Sequence, residues 1–354
     1  MITFILGSTL VLGAGGEAKQ DVWIAVPMAI FAAVPVFFVY ARLLTLFPGK
    51  DLYEILNTVF GKIVGKLLSL FIIWFAFHLG ALVIRNFTEF IKIVSIPETP
   101  QNIIAIFMTV LCIWAVKAGV EVIGRWTSMI LPIIIGAIIG VTLLFIPLLE
   151  FKNLKPVLYE GMGPVLDSAF SVLSFPFAET VIFTTVLNKL RKPASPFKVY
   201  YWSLLIGGIT IVTVATRSVL VLGVENISMM YFPSYASVRL INIGDFLQRI
   251  EVLVSTVFLF AGFVKISICL YAASSGMAKV LNMDDYRYVV TPVGLLMMAL
   301  AAFVYPNVME MFEWANKIYK FYAFPFEIIL PLIVFIGAEI KIRTGSKKKG
   351  ERAK

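Results

Sequence analysis

The chain has 354 residues, of which 60% are hydrophobic and 14% charged, with a mean hydropathy of +0.93 and a formal net charge of +9. One aqueous core cannot bury so much apolar sequence, so lipid must be the solvent for most of it and soluble domains have no room. The basic residues lie between apolar runs and in a terminal tail, not on one amphipathic face, which fits membrane orientation and excludes a nucleic-acid partner.

In chain order, the first apolar run is Met1–Gly13. It has no basic leader and runs into a glycine-rich turn, so it reads as a retained span and not as a cleaved signal. At a rise of about 1.5 Å per residue it reaches only about 20 Å, short of a hydrocarbon core of roughly 30 Å. Either its true start lies upstream or half a helix is missing. The second span is Val22–Leu46, and Asp51–Gly61 mixes apolar and charged residues as a helix lying at the interface would. Spans at Ile63–Val94, Ile103–Val116 and Met129–Leu149 complete the first half. The second half has spans at Val165–Leu187, Val199–Val224, Val252–Leu281, Val289–Tyr305 and Phe321–Ile340, with a second interfacial stretch at Tyr231–Phe246.

The fold expected is therefore an all-α integral membrane protein of ten transmembrane helices. It forms one domain over residues 1–341, with repeats over about 1–150 and 164–341 and a basic tail at 342–354. One side of the membrane collects 19 Lys and Arg residues, the tail among them, and the other 9. An even number of spans and this bias put both termini in the cytoplasm. Cys112 and Cys269 fall inside apolar segments and read as free thiols. One histidine, two separated thiols and no nucleophile or phosphate-loop motif leave no catalytic set, metal site or cofactor site, so the chain does not read as an enzyme.

Candidate sites follow from the backbone. A helix in lipid satisfies its own hydrogen bonds, so a break at membrane depth is tolerated only where protein or a polar cavity covers it. In transporters built from inverted repeats such breaks occupy matched helices and meet the substrate. With ten spans the matched pair is the first and the sixth. The first holds Gly7-Ser8-Thr9 and then Gly13-Ala14-Gly15-Gly16; the sixth holds Ser174-Phe175-Pro176-Phe177-Ala178-Glu179-Thr180. Glycine admits close approach of backbone to ligand, and proline frees a carbonyl one turn back. Glycine and proline are also common in ordinary membrane helices, so the matched positions carry the inference.

Three groups are candidates for proton or ion coupling. Glu179, next to the break, either takes up a proton or caps the lower half-helix. Lys265, in the middle of the eighth span, replaces a coupling cation, neutralises a carboxylate or snorkels. His78 titrates near neutrality when unperturbed, yet a lone histidine on an apolar helix is more often a packing residue. Arg85 and Glu89 read as an i, i+4 pair. Arg217 binds a carboxylate or reaches the headgroups.

Three runs carry a family resemblance: Phe232 to Glu251, with the sequence FPSYASVRLINIGDFLQRIE; Gly262-Phe263-Val264-Lys265-Ile266-Ser267; and Pro176-Phe177-Ala178-Glu179-Thr180. They resemble spore germination permease-like proteins over nearly the whole chain. That family is similar to the amino acid-polyamine-organocation superfamily. The resemblance implies an inverted five-plus-five repeat of the leucine-transporter type with broken first and sixth helices. It further implies the B subunit of a germinant receptor in the inner membrane of the spore, recognising a small nutrient, often an amino acid, beside an A subunit and a lipoprotein C subunit. Carried over by motif, Gly7, Ser8 and Thr9 fall on the unwound part of the first helix, and Phe175, Pro176, Phe177 and Ala178 on that of the sixth; Ser174, just before them, is a substrate-binding candidate as well. Thr9 stands where many relatives have a second glycine. The rival functions are a proton-coupled amino-acid transporter and a membrane scaffold that binds no ligand.

Overall fold

A computed structural model describes residues 1–7, 9–189, 195–238 and 250–352. Among them the secondary structure is helical throughout, without strands. The first half comprises α1 (Ile2–Leu6), α2 (Thr9–Leu12), α3 (Val22–Leu46), α4 (Leu52–Phe60), α5 (Lys62–Val94), α6 (Gln101–Ala118) and α7 (Val120–Leu144). The second comprises α8 (Met162–Val172), α9 (Pro196–Ser228), α10 (Pro233–Val238), α11 (Ile250–Val280), α12 (Arg287–Ala301), α13 (Val308–Glu313), α14 (Tyr319–Phe324) and α15 (Leu330–Arg352).

Eight helical stretches in the described residues are long and apolar enough to cross a bilayer: Gly16–Leu46, Lys62–Val94, Gln101–Ala118, Val120–Leu144, Met162–Thr185, Pro196–Ile227, Ile250–Val280 and Val308–Thr344. Eight of the ten expected spans correspond to these. The other two are shorter: the first is the pair α1 and α2, and the ninth is the apolar α12. Large apolar side chains such as Phe107, Trp114, Ile139, Leu143 and Phe321 point outward, as lipid as solvent requires. The protein is an integral membrane protein.

Local chemistry explains the elements between the spans. The stretch Asp51–Gly61, expected to lie at the interface, forms the helix α4, started by a capping box in which the Asp51 carboxylate accepts from the Glu54 amide and the Glu54 carboxylate from the Asp51 amide. Lys279, at the end of α11, bonds to Asp51 and lies 3.1 Å from Glu54, tying α4 to the bundle. The second interfacial stretch is helical at α10, and residues 239–249 lie outside the described residues. After α2 the chain turns with Gly13 at φ 85° and Gly15 at φ 76°, left-handed conformations that glycine adopts without a Cβ penalty.

The most extensive helix pair is α5 against α11. The two close on Gly262, where a Cβ would lie 1.7 Å from Cζ of Phe87, itself stacked on Phe258 at 3.9 Å. Gly262, one of the residues carrying the family resemblance, is thus a packing glycine. This pair forms the back wall of the site.

Candidate functional site

The first helix breaks at Gly7, which lies between α1 and α2 with φ −14° and ψ −118°. Its amide still donates to the Thr3 carbonyl at 3.0 Å, and the Thr9 hydroxyl spans the break to the Ile5 carbonyl at 3.2 Å. Thr9 therefore opens α2 and splints the break. Ser8 lies outside the described residues. A methyl group on Gly7 would stand 2.8 Å from Cδ of Lys265 and 2.9 Å from the Phe4 carbonyl, so glycine is needed to let the lysine stem pass.

The sixth helix breaks between α8 and a 3-10 helix at Ala178–Thr185. The intervening Leu173–Phe177 is a π-helical turn in which Phe175 is extended (φ −118°, ψ 106°) and joined to Pro176 by a cis bond. Ser174, Pro176, Phe177 and Ala178 are buried and Phe175 partly so. Proline has no amide to donate and disfavours helix at the preceding residue, which is why the helix opens here. The Tyr40 hydroxyl, from α3, bonds the freed Ala178 carbonyl at 3.1 Å, and the Tyr200 hydroxyl, from α9, bonds that of Thr180 at 3.2 Å.

Both breaks close on one buried ion pair. The Lys265 ammonium donates to Oε2 of Glu179 at 2.5 Å, both side chains being 0% exposed. It also lies over the rings of Phe175 and Phe4, at 4.6 and 5.1 Å from their centroids. The Tyr319 hydroxyl, from α14, donates to Oε1 of Glu179 at 2.7 Å. The carboxylate is thus bonded on both oxygens and the ammonium sits in an aromatic sandwich, an arrangement in which a buried pair tolerates low dielectric. Gly7, Phe175, Glu179 and Lys265, far apart in sequence, meet here.

Other candidates stand elsewhere. His78 stacks on Trp74 at 5.5 Å and meets the ring of Tyr322 at 5.0 Å, in an aromatic cluster that reaches Phe326 through Tyr322, with Nδ1 unpartnered. Arg85 and Glu89 form their pair at 2.8 Å. Arg217 lies over the Phe145 ring at 4.6 Å and donates to the Thr142 hydroxyl at 3.1 Å. Among the described residues no His, Cys, Asp and Glu cluster could hold a metal ion.

Sequence reasoning passed over three residues of this centre. Tyr40 and Tyr319 give no signal of their own, since a tyrosine in a membrane helix is ordinary. Glu327 gave one: it is an ionisable residue inside a span, and Phe324-Pro325-Phe326-Glu327 echoes Phe175-Pro176-Phe177-Ala178-Glu179.

Compared with known proteins, residues 1–308 match the family model described as spore germination protein. Spore germination protein KB of Bacillus subtilis (strain 168) is 29% identical, with 100% of this chain and 96% of that protein aligned. The putative spore germination protein YfkT of the same organism is 25% identical over 94% of this chain and 91% of its own length. Spore germination protein A2, also from that strain, is 23% identical over 92% and 88%.

Proposed function

The chain belongs to the spore germination protein family, and on that premise we propose that it is the nutrient-sensing membrane subunit of a germinant receptor. The ligand is a small zwitterion, most simply an amino acid, held between the broken first and sixth helices. The observation that carries this reading is the convergence of both breaks on Lys265 and Glu179. The Lys265–Glu179 pair holds the two breaks together, and the opened backbone at Ser174 to Ala178 offers carbonyls to an ammonium group. Gly7, Ser8, Thr9, Ser174, Phe175, Pro176, Phe177 and Ala178 are proposed as the lining. No catalytic role is assigned.

The same reading takes α1 with α2 as the first helix and α12 as the ninth, giving ten helices in an inverted five-plus-five repeat, about 1–150 and 164–341, followed by the basic tail. Both termini face the cytoplasm across the inner membrane of the spore, and the subunit works beside A and C subunits. Ligand binding biases two conformations, and the partners read the bias.

Ligand-dependent thermal stability of the purified protein tests this. A ligand at a hundredfold excess over Kd stabilises by about 2.7 kcal/mol. The expected result is a shift with one amino acid among a panel of amino acids, nucleosides and sugars, lost on Phe177→Trp or Ser8→Trp. A shift with none of them would turn the reading to a scaffold without a ligand. The buried Lys265–Glu179 pair also suits a proton-coupled amino-acid transporter. Accumulation in vesicles that collapses with the proton gradient would replace the receptor reading with that one.

A further inference from the structure

Glu327 is fully buried, in a π-helical turn at Pro325–Ile329 between α14 and α15, and neither carboxyl oxygen has a hydrogen-bond partner. The side chains of Ser174 and Tyr319 lie beside it. The Tyr319 hydroxyl is already spent on Glu179, whereas the Ser174 hydroxyl is buried, has no other partner and faces Glu327. The remaining neighbours are accounted for. Lys265 is engaged by Glu179. Tyr40, from α3, lies with its hydroxyl 2.5 Å from the backbone carbonyl of Glu327, not from the carboxyl group. On the α5 side Phe75 stacks on Phe326, and His78 is held against Tyr322.

The charges of this centre do not balance. Two carboxylates, Glu179 and Glu327, share one ammonium, and that ammonium is committed to Glu179 by direct contact. A bare carboxylate in hydrocarbon surroundings is strongly disfavoured, and a fixed countercharge is missing among the described residues. We propose that Glu327 and the Ser174 hydroxyl form a binding site for one monovalent cation, a proton or a sodium ion, beside the break of the sixth helix. The Tyr40 hydroxyl sits between the carbonyls of Ala178 and Glu327, its one proton shared by both, so the site is strapped to the break and its occupancy is felt there. A π-helical turn widens the helix locally, which gives the last helix room to shift when the cation leaves. The site requires neither nutrient nor partner subunits, so it is testable apart from the receptor reading.

The experiment uses the full chain in lipid nanodiscs, without nutrient. Thermal unfolding is followed in sodium chloride against choline chloride and from mildly acidic to mildly alkaline pH, and infrared spectra are searched for the carbonyl band of a protonated carboxyl. If sodium is the cation, the unfolding temperature rises when sodium replaces choline. If it is a proton, the band is present and the unfolding temperature falls as pH rises. Glu327→Gln, a neutral isostere, abolishes whichever response is found, and Glu121→Gln, at the exposed Arg125 pair, keeps it. Neither response in the unaltered protein, or a response that survives Glu327→Gln, overturns the proposal. Should Glu327→Gln fail to fold, Ser174→Ala decides: a weakened sodium response or a displaced band supports the site, and no change in either overturns it.

Discussion

Glu179 and Lys265 are better understood as a specifying pair than as a source of stability, since desolvating two charges offsets most of their attraction. The expected signature is strong coupling. Lys265→Met or Glu179→Gln alone should cost about 3–5 kcal/mol by stranding a buried partner. The double variant should recover part of that loss, as a double-mutant cycle on unfolding would measure. Tyr319→Phe leaves one carboxylate oxygen unbonded and should cost about 1–3 kcal/mol in the same assay. Gly7→Ala forces a methyl against the Lys265 stem, an overpacking expected to cost about 1–3 kcal/mol and to remove any nutrient-induced thermal shift. Both charged residues could be read from the sequence because ionisable groups inside spans are rare. That they would find each other across 86 positions could not, because the pairing depends on how α11 packs against the sixth helix.

The breaks, carried by glycine and proline, were legible element by element, whereas the geometry each one takes was not. At the first, Thr9 resumes helix at once and its hydroxyl splints the gap, so the opening is narrower than a Gly-Ser-Thr string suggests. At the sixth, the chain leaves the break as a 3-10 helix, a choice set by the tyrosine hydroxyls that take up its carbonyls. The π-helical turn around Glu327 has no sequence signature beyond Pro325. The α4 helix was legible from its mix of apolar and charged residues, and its capping box fixes where it starts. Asp51→Ala should cost about 1 kcal/mol through the cap, and more where the lost contact with Lys279 loosens α4 from α11. Protease nicking of the residue 47–62 segment is the readout. The α5–α11 wall makes the opposite demand. Gly262→Ala should cost about 1–3 kcal/mol by driving the Phe87 ring off Phe258, seen as lost thermal stability without a change in nutrient selectivity.

Across the whole molecule, hydropathy located the eight long helices because lipid imposes one length scale on all of them. It was weakest for the first and ninth, where α1, α2 and α12 are short and depend on neighbours for cover. The start of α7 at Val120 was also missed. Its first two turns carry Glu121 and Arg125 on an exposed face, and hydropathy discounts such residues. The charge bias makes a prediction at this scale: a cysteine at Thr344, near the basic tail, should react with an impermeant thiol reagent only from the cytoplasmic side. The buried ion pair, finally, has a consequence for biosynthesis. Glu179 leaves the ribosome 86 residues before Lys265, and a lysine at the centre of a membrane helix costs about 2.5–3.5 kcal/mol to insert. Neither segment is a comfortable passenger of the translocon until the other arrives. A nascent chain halted between them should stay crosslinked to the insertion machinery or be degraded, and release into the bilayer should come only once the eighth span has emerged.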